Sequence, residues 1–277
     1  MLKETREILK EHEAWLSRRM GQNQVIDPSF LKKMIDYANV TERDVVLEIG
    51  AGVGNLTLML AGRARTVIAV EKDEKLVEIL RKRLKGRTNV RLLQGDFLDM
   101  DLPEFNKIVS NLPYSISSEI MFRLLEFNFD LAVLMFQKEF AERLVAKPGS
   151  ENYGRLTVNT YYRAEVELLE EVPPTAFFPQ PKVSSAIVRL KPRKPPFTVK
   201  EEKVFSDVVR ALFQHRRQLV RNALLHSFSE IFPGKKMDKS EIRSFLNESL
   251  PRKLLETRVV DLTPENFGEI ANLITSP

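Results

Sequence analysis

The sequence predicts an α/β protein, with a doubly wound parallel sheet followed by a smaller helical domain. From residue 45 to about residue 135, short aliphatic and β-branched runs alternate with segments of helical periodicity. Strands that alternate with helices are typical of a parallel sheet with helices on both faces. The proline-rich segment at 192–196 is a stiff linker, and residues 200–277 beyond it have few strand signals. We therefore expect an N-terminal domain of residues 1–192 and a C-terminal domain of residues 193–277.

The elements of the first domain have local signals. Val45–Ile49 is a nearly continuous apolar run, which predicts a buried strand. A glycine-rich turn and an apolar helix at 56–61 follow it, and Thr66–Glu71 is a second strand. The remaining elements are expected as a helix at 75–84 and strands at 90–93, 107–110 and 132–136. In the C-terminal domain, one helix face is predicted to carry Val204, Val208, Leu212 and Leu219, with Arg216, Arg217 and Arg221 on other faces.

Composition excludes several classes of site. The 277 residues include no cysteine, which rules out disulfides, thiolate zinc sites and cysteine nucleophiles. The three histidines are far apart in sequence and lack ligand spacing, so no metal is expected. A net charge of +5 permits a polyanionic partner. The N-terminus is not a secretory signal, and no apolar run is long enough to span a bilayer, so we expect a soluble, cytoplasmic protein without membrane contact.

A cofactor site is predicted beyond the carboxyl ends of the strands, where ligands of doubly wound sheets bind. The turn Gly50-Ala51-Gly52-Val53-Gly54 lets a ligand approach the backbone closely. Glu71 ends the second strand, where a carboxylate accepts ribose hydroxyls. Asp96 ends the third strand and is placed to accept from an adenine amino group, with Phe97 packed on the ring. Each signal taken singly has an ordinary explanation, such as a solvated acid or a helix cap, but the three in this order favour a cofactor.

Two cofactors compete for that turn. A dinucleotide fingerprint is G-x-G-x-x-G, but Asn55 stands at the place of its last glycine. The spacing G-x-G-x-G, with Glu48 two residues before it, resembles the first motif of S-adenosylmethionine-dependent methyltransferases.

The tetrapeptide Asn111-Leu112-Pro113-Tyr114 ends the fourth strand and suits chemistry on an aromatic amine. Such an amine is a poor nucleophile because its lone pair is delocalised into the ring. The Asn111 side-chain carbonyl, with the backbone carbonyl of Leu112 or its neighbour, can bind both amine hydrogens and expose that lone pair. Tyr114 offers a ring on which a base can stack. By itself the tetrapeptide is also an ordinary turn signal.

The chain resembles the small-subunit rRNA adenine dimethyltransferases, and most closely their archaeal-type members. The resemblance is carried by these segments: GQN at 21–23, EIGAGVGNLT at 48–57, GDF at 95–97, NLPYSIS at 111–117, QKEFAERLVAKPGSENYGRLTV at 137–158, VPPTAFFPQPKVSSAIVRL at 172–190 and FQHRR at 213–217. It implies a Rossmann-like class I methyltransferase sheet that uses S-adenosylmethionine and releases S-adenosylhomocysteine.

The resemblance also implies roles for individual residues. The cofactor contacts would be Asn23, the Val25 backbone, Gly50, Gly52, Glu71, Asp96 and Asn111. Phe177 would stack on the target base opposite Tyr114, with Phe178 packed inward unless the two exchange roles. The family usually has Phe-Leu where this chain has Gln24-Val25, which puts the packing at Gln24 in question.

The expected function is transfer of methyl groups to two adjacent adenosines near the 3′ end of small-subunit rRNA, within a pre-ribosomal particle and by a monomer. Phosphate contacts are expected from Lys138, Arg143, Lys147 and Arg155, and from His215, Arg216, Arg217 and Arg221. Two alternatives stay open: a methyltransferase of large-subunit rRNA, and an assembly factor on the same fold for which catalysis is dispensable. An NAD(P) oxidoreductase is disfavoured by Asn55 and by the Asn111–Tyr114 segment.

Overall fold

A computed structural model describes residues 1–14 and 23–275. The chain divides into two compact units. We call Met1–Ala141 with Glu165–Pro192 the core unit, and Glu142–Ala164 with Arg193–Pro277 the helical unit.

Within the described residues, the core unit contains a seven-stranded sheet with the order β4-β3-β2-β5-β6-β9-β7. Its strands are β2 (Val45–Ile49), β3 (Thr66–Glu71), β4 (Val90–Gln94), β5 (Lys107–Asn111), β6 (Leu131–Gln137), β7 (Ala164–Val172) and β9 (Ser185–Pro192). The strands β2 to β6 are parallel, and β9 is antiparallel to β6. A separate two-stranded ribbon pairs β1 (Gln24–Val25) with β8 (Phe177–Phe178). The strand order reverses between β2 and β5, which is where doubly wound sheets bind their ligands.

The helices of the core unit are α1 (Leu2–Glu11), α2 (Pro28–Tyr37), α3 (Asn55–Ala61), α4 (Glu74–Arg83), α5 (Ser117–Leu124) and most of α6 (Lys138–Leu144). Helix α4 begins directly beyond β3 because the Asp73 carboxylate accepts the backbone N–H groups of Lys75 and Leu76, at 2.9 and 3.2 Å. Its buried face carries Leu76, Val77, Ile79 and Leu80, which accounts for its amphipathic pattern. Local capping thus fixes the start of the helix next to the strand end that carries Glu71.

The helical unit contains α7 (Arg155–Arg163), α8 (Glu202–Gln214), α9 (Val220–Ile231), α10 (Lys239–Ser249), α11 (Arg252–Leu255) and α12 (Pro264–Ile274). Phe205, Phe228 and Phe267 lie in its core. Tyr153 belongs to the same core, and its hydroxyl donates to the Leu262 carbonyl at 2.7 Å. This burial explains why residues 142–164 pack with the helical unit, although the sequence-based boundary placed all residues before 193 in the first domain.

The predicted strands and helices of the doubly wound sheet are present, with ends that differ by one residue at most. Three features differ from expectation or were not foreseen. The sheet is mixed because β9 is antiparallel, and the antiparallel ribbon β1–β8 was not predicted. The helix expected to carry Leu219 ends at Gln214, since the His215 N–H turns back to the Leu212 carbonyl. Leu219 instead precedes α9 and bridges to Arg258. No helix in the described ranges is long and apolar enough to cross a membrane.

Candidate active site

A cavity of about 560 Å³ lies at the carboxyl ends of the parallel strands, where the strand order reverses. It is lined by Asn23, Gln24, Gly50, Val70, Glu71, Lys72, Asp73, Leu76, Gly95, Asp96, Phe97, Leu98, Asn111, Pro113, Ser115 and Ile116. Its volume falls within the range of ordinary small-molecule sites. Of the predicted site residues, Asn23, Gly50, Glu71, Asp96, Asn111 and Pro113 all line this one cavity.

The glycine turn after β2 requires glycine for its backbone shape. Gly50, Gly52 and Gly54 have φ angles of +73°, +59° and +87°, values that side chains with a Cβ rarely adopt. Gly50 lines the cavity, whereas Gly52 is covered by the side chain of Gln24. The predicted direct contact of Gly52 with a cofactor therefore stays a prediction.

Glu71 is buried, and backbone N–H groups hold its carboxylate in place. Oε2 accepts from Gly52 at 2.8 Å, and Oε1 accepts from Lys72 and Asp73, both at 2.9 Å. Burial raises the pKa of Glu71, while these hydrogen bonds favour its ionised form. A carboxylate oxygen accepts about two hydrogen bonds, so Oε2, which has only one, is a fixed acceptor for a hydroxyl that enters the cavity.

Asp96 is the second acid of the cavity, and it is paired. Its Oδ2 lies 2.6 Å from the Lys72 ammonium, which lowers the pKa of Asp96, and its Oδ1 accepts the Leu98 N–H at 3.0 Å. Phe97 is 3% exposed and lines the cavity beside it, and its predicted packing on an adenine ring stays a prediction. The pairing with Lys72 was not predicted, since nothing local in the sequence aligns the two side chains.

Asn111 stands at the end of β5 with an unsatisfied acceptor. Its Nδ2 donates to the Asn23 carbonyl at 2.7 Å, which fixes the orientation of the amide. Its Oδ1 is buried and has no hydrogen-bond partner. A buried carbonyl oxygen without a donor costs about 1–3 kcal/mol, so the site holds an acceptor that a bound donor would satisfy.

The other three residues of the tetrapeptide are held by hydrogen bonds of their own. Leu112 is buried, and its N–H donates to the Met135 carbonyl at 3.3 Å. The Pro113 carbonyl accepts from Ile116 and Ser117, both at 3.4 Å, which favours Leu112 as the source of a second acceptor. The Tyr114 hydroxyl is 2.5 Å from Ser185 Oγ, and burial raises the pKa of Tyr114, so the phenol is neutral at physiological pH.

Phe177 and Phe178 have the opposite exposures to those expected. Phe177 is 2% exposed and packs in the same hydrophobic cluster as Val25, whereas Phe178 is half-buried with the Arg6 guanidinium 4.9 Å from its ring centroid. The antiparallel pairing with β1 sets this alternation, because successive side chains of a strand point to opposite sides. Phe177 still approaches Tyr114 edge-on, with ring centroids 6.5 Å apart. Its stacking role stays a prediction, since a base would have to separate these rings.

The N-terminal segment reaches the cavity through Asn23 and Gln24. Val25 does not line the cavity in the described structure, and its carbonyl accepts the Asn55 side chain at 3.1 Å. The backbone contact of Val25 with a cofactor therefore stays a prediction. Gly21 and Gln22, which belong to the same motif, lie outside the described residues.

Glu48 is a feature whose chemistry the sequence did not show. It is 2% exposed, its Oε2 has no hydrogen-bond partner, and burial raises its pKa to about 8, with a contribution from Glu71. The nearly continuous apolar run of β2 could have revealed it, because both faces of such a strand are buried and an acid within it has to be buried as well.

The predicted basic residues have mixed roles. Lys138 pairs with Glu171 at 2.7 Å, and Arg216 donates to the carbonyls of Ser150 and Glu151 at 3.1 and 3.0 Å. Arg217 and Arg221 are exposed.

The helical unit has 19 lysines and arginines against 13 acids, a balance of +6, and the core unit has 24 against 25, a balance of −1. The positive charge of the chain is thus concentrated in the helical unit.

Among the described residues, no group of three or more histidine, cysteine or acidic side chains is arranged to hold a metal ion.

Comparison with known proteins agrees with this geometry. The family model for ribosomal RNA adenine dimethylase matches residues 16–274. The probable ribosomal RNA small subunit methyltransferase A of Methanothermobacter thermautotrophicus is 47% identical over 274 residues, which cover 98% of this chain and 95% of that protein. A dimethyladenosine transferase from Plasmodium falciparum superposes with a TM-score of 0.73 at 30% identity, covering 88% of this chain and 94% of its own. The 23S rRNA methyltransferase ErmE gives a TM-score of 0.64 at 28% identity, covering 91% and 99%.

The family model spans nearly the whole chain, and the archaeal relative matches it from end to end. The class I methyltransferase fold and the use of S-adenosylmethionine follow from that match. This chain therefore belongs to the ribosomal RNA adenine dimethylase family.

Proposed function

We propose that this protein transfers methyl groups from S-adenosylmethionine to the exocyclic amines of two adjacent adenosines near the 3′ end of small-subunit rRNA. The observation that carries the proposal is the buried, unpartnered Oδ1 of Asn111, a residue that lines one cavity together with Gly50 and the acids Glu71, Asp73 and Asp96. The relative from Methanothermobacter thermautotrophicus, a probable small-subunit rRNA methyltransferase, is 47% identical, whereas the 23S rRNA methyltransferase ErmE is 28% identical. The small-subunit substrate is therefore favoured over the large-subunit alternative.

The residues present fit S-adenosylmethionine. Glu71 is a preorganised acceptor for ribose hydroxyls. Asp96 is an acceptor for the adenine amino group while its carboxylate also pairs with the Lys72 ammonium. Phe97 packs at the same end of the cavity, and Gly50 leaves room where a Cβ would stand. When bound, S-adenosylmethionine supplies an electrophilic methyl group on a positively charged sulfur.

The chemistry assigned to the chain is positioning rather than proton abstraction. Asn111 Oδ1, and the Leu112 carbonyl, accept the two hydrogens of the target amine and turn its lone pair out of conjugation with the ring. The bond from Asn111 Nδ2 to Asn23 keeps that acceptor in place before the substrate arrives. The Tyr114 ring aligns the extruded base by stacking, while its hydroxyl is held by Ser185. No dedicated base is needed, because a methylated arylammonium loses its proton readily to water.

Recognition of the RNA is assigned to the basic helical unit. The proposed division of labour is catalysis in the core unit and phosphate contacts in the helical unit, where Arg217 and Arg221 are exposed. We further propose that the protein acts as a monomer on a pre-ribosomal particle in the cytoplasm.

The test is transfer of labelled methyl groups to small-subunit particles that lack the modification, followed by nucleoside analysis. Large-subunit RNA and a reaction without S-adenosylmethionine are the controls. Dimethyladenosine in the small-subunit particle only is the expected product. Labelling of large-subunit RNA only would replace the proposal with the alternative substrate. Salt-sensitive binding without transfer would make the chain an assembly factor on a methyltransferase fold.

A further inference from the structure

Gln24 covers the glycine turn in a way that the family motif does not suggest. A methyl group placed on Gly52 would lie 2.2 Å from Gln24 Nε2 and 2.3 Å from its Oε1, so the amide lies directly against the turn. Its Oε1 accepts the Val53 N–H at 3.3 Å. The pairing of Gln24 with Phe178 anchors the backbone from which this side chain extends.

The orientation of the amide follows from that hydrogen bond. A backbone N–H donates and needs an acceptor, so the atom that faces Val53 is the oxygen and the other is the NH₂ group. No described residue accepts a hydrogen bond from Nε2, and Gln24 lines the cavity. The side chain therefore carries an unused donor beside the glycine turn.

The turn itself has no other donor to offer. Its five backbone N–H groups are engaged: those of Gly50 and Ala51 with the Val70 carbonyl, and that of Gly54 with Ala51. The remaining two donate to side chains, Gly52 to Glu71 and Val53 to Gln24. An anion at this turn would thus find no free backbone N–H, in contrast to glycine-rich turns that bind phosphate.

The two ends of S-adenosylmethionine make different demands. The adenosine end presents donors, and the acids Glu71 and Asp96 suit it. The amino-acid end carries a carboxylate, which acids repel and which requires a donor. From this we infer that Gln24 Nε2 binds the cofactor carboxylate and makes the site prefer cofactors with a complete amino-acid end. The inference rests on the cofactor placement proposed above.

Calorimetry with two ligands tests the inference without turnover. S-Adenosylhomocysteine has the amino-acid end, and 5′-methylthioadenosine lacks it. Gln24→Ala should weaken S-adenosylhomocysteine roughly tenfold or more, as expected for a lost hydrogen bond to a charged group, and leave 5′-methylthioadenosine unchanged. Gln24→Glu keeps an acceptor for the Val53 N–H but places a carboxylate next to that of the ligand. Its affinity for S-adenosylhomocysteine should therefore fall further than that of Gln24→Ala, again without a change for 5′-methylthioadenosine. Equal losses for both ligands, or no loss, would overturn the inference.

Glu71→Gln distinguishes an error in the role of Gln24 from an error in the proposed placement of the cofactor. If the adenosine end lies at Glu71, that variant should weaken both ligands by similar factors. Unchanged affinities in Glu71→Gln would refute the placement, whereas parallel losses there, with no selective loss in the Gln24 variants, would refute the role of Gln24 alone.

Discussion

Glu48→Gln should change how the stability of the protein depends on pH. Glu48 lies in β2 with 2% of its surface exposed, and its Oε2 has no partner. Burial raises the pKa of its carboxyl from an ordinary value of 4.5 to about 8, and the charge of Glu71 adds to the effect. At neutral pH the folded protein therefore holds Glu48 in its protonated form, whereas the unfolded chain ionises it.

The direction and size of the effect follow from proton linkage. Between pH 4.5 and about 8 the unfolded chain binds fewer protons at this site than the folded protein, so stability falls as pH rises. A full difference of one proton corresponds to about 1.4 kcal/mol for each pH unit, which amounts to several kcal/mol across the window. Above the folded pKa both states are ionised and the slope from this group disappears. Burial also raises the pKa of Glu71, so comparison with the variant is needed to isolate Glu48.

The assay is urea unfolding, followed by circular dichroism, at pH values from 5 to 9. Glutamine has the shape of the protonated carboxyl but does not titrate. The free energy of unfolding of the variant, relative to that of the wild type, should therefore increase steadily as pH rises toward 8. Glu104→Gln removes an exposed carboxylate of the same unit and controls for net charge. A difference between Glu48→Gln and wild type that does not vary with pH would refute the reasoning.

Two further predictions concern stacking and RNA binding. Tyr114→Phe leaves the buried Ser185 hydroxyl unpaired, so it should lower the free energy of unfolding by about 1–3 kcal/mol with little change in methyl transfer. Tyr114→Ala should slow transfer at least tenfold, since stacking of a base is worth about 1–3 kcal/mol, and equal rates in the two variants would contradict a stacking role. Arg217→Ala should reduce the salt dependence of RNA binding by roughly one phosphate contact. Arg216→Ala should mainly reduce stability, because Arg216 holds Ser150 and Glu151; a reversed pattern in filter-binding and unfolding measurements would contradict this division.

The sequence predicted what is encoded locally. The strands β2 to β6 are short segments rich in aliphatic and β-branched residues, and the residues at their carboxyl ends share one edge of a parallel sheet. The strand order of a doubly wound sheet then predicts that the residues at these strand ends lie at one cavity, as Gly50, Glu71, Asp96 and Asn111 do.

Contacts between distant segments could not be predicted in this way. Gln24 lies on Gly52, Lys72 pairs with Asp96, and Arg216 binds carbonyls of the 142–164 segment. Each contact depends on how two distant chain segments are placed in the fold. The local sequence pattern of either segment does not determine that placement. The exposure of Phe177 and Phe178 depends on the register of β8 against β1, and a shift of one residue exchanges the two rings.

The acids and the amide of the cavity should have separable effects on catalysis. In the proposed placement, Glu71 accepts from ribose hydroxyls that are the same before and after methyl transfer, so its contribution would be to binding. In the same proposal, Asn111 Oδ1 accepts from an amine that becomes positively charged as transfer proceeds, so its hydrogen bond would strengthen in the transition state. Only interactions that strengthen there raise turnover.

Asn111→Ala should therefore reduce kcat by about 10²–10³, as for loss of a preorganised transition-state contact, and change the Kd for S-adenosylhomocysteine only moderately. Glu71→Gln should do the reverse, raising that Kd while kcat at saturating S-adenosylmethionine falls little. Single-turnover rates on small-subunit particles and calorimetric Kd values measure the two effects separately. Parallel losses of kcat and affinity in both variants would show that Asn111 binds the cofactor as Glu71 does, and would remove its assignment as the acceptor for the amine.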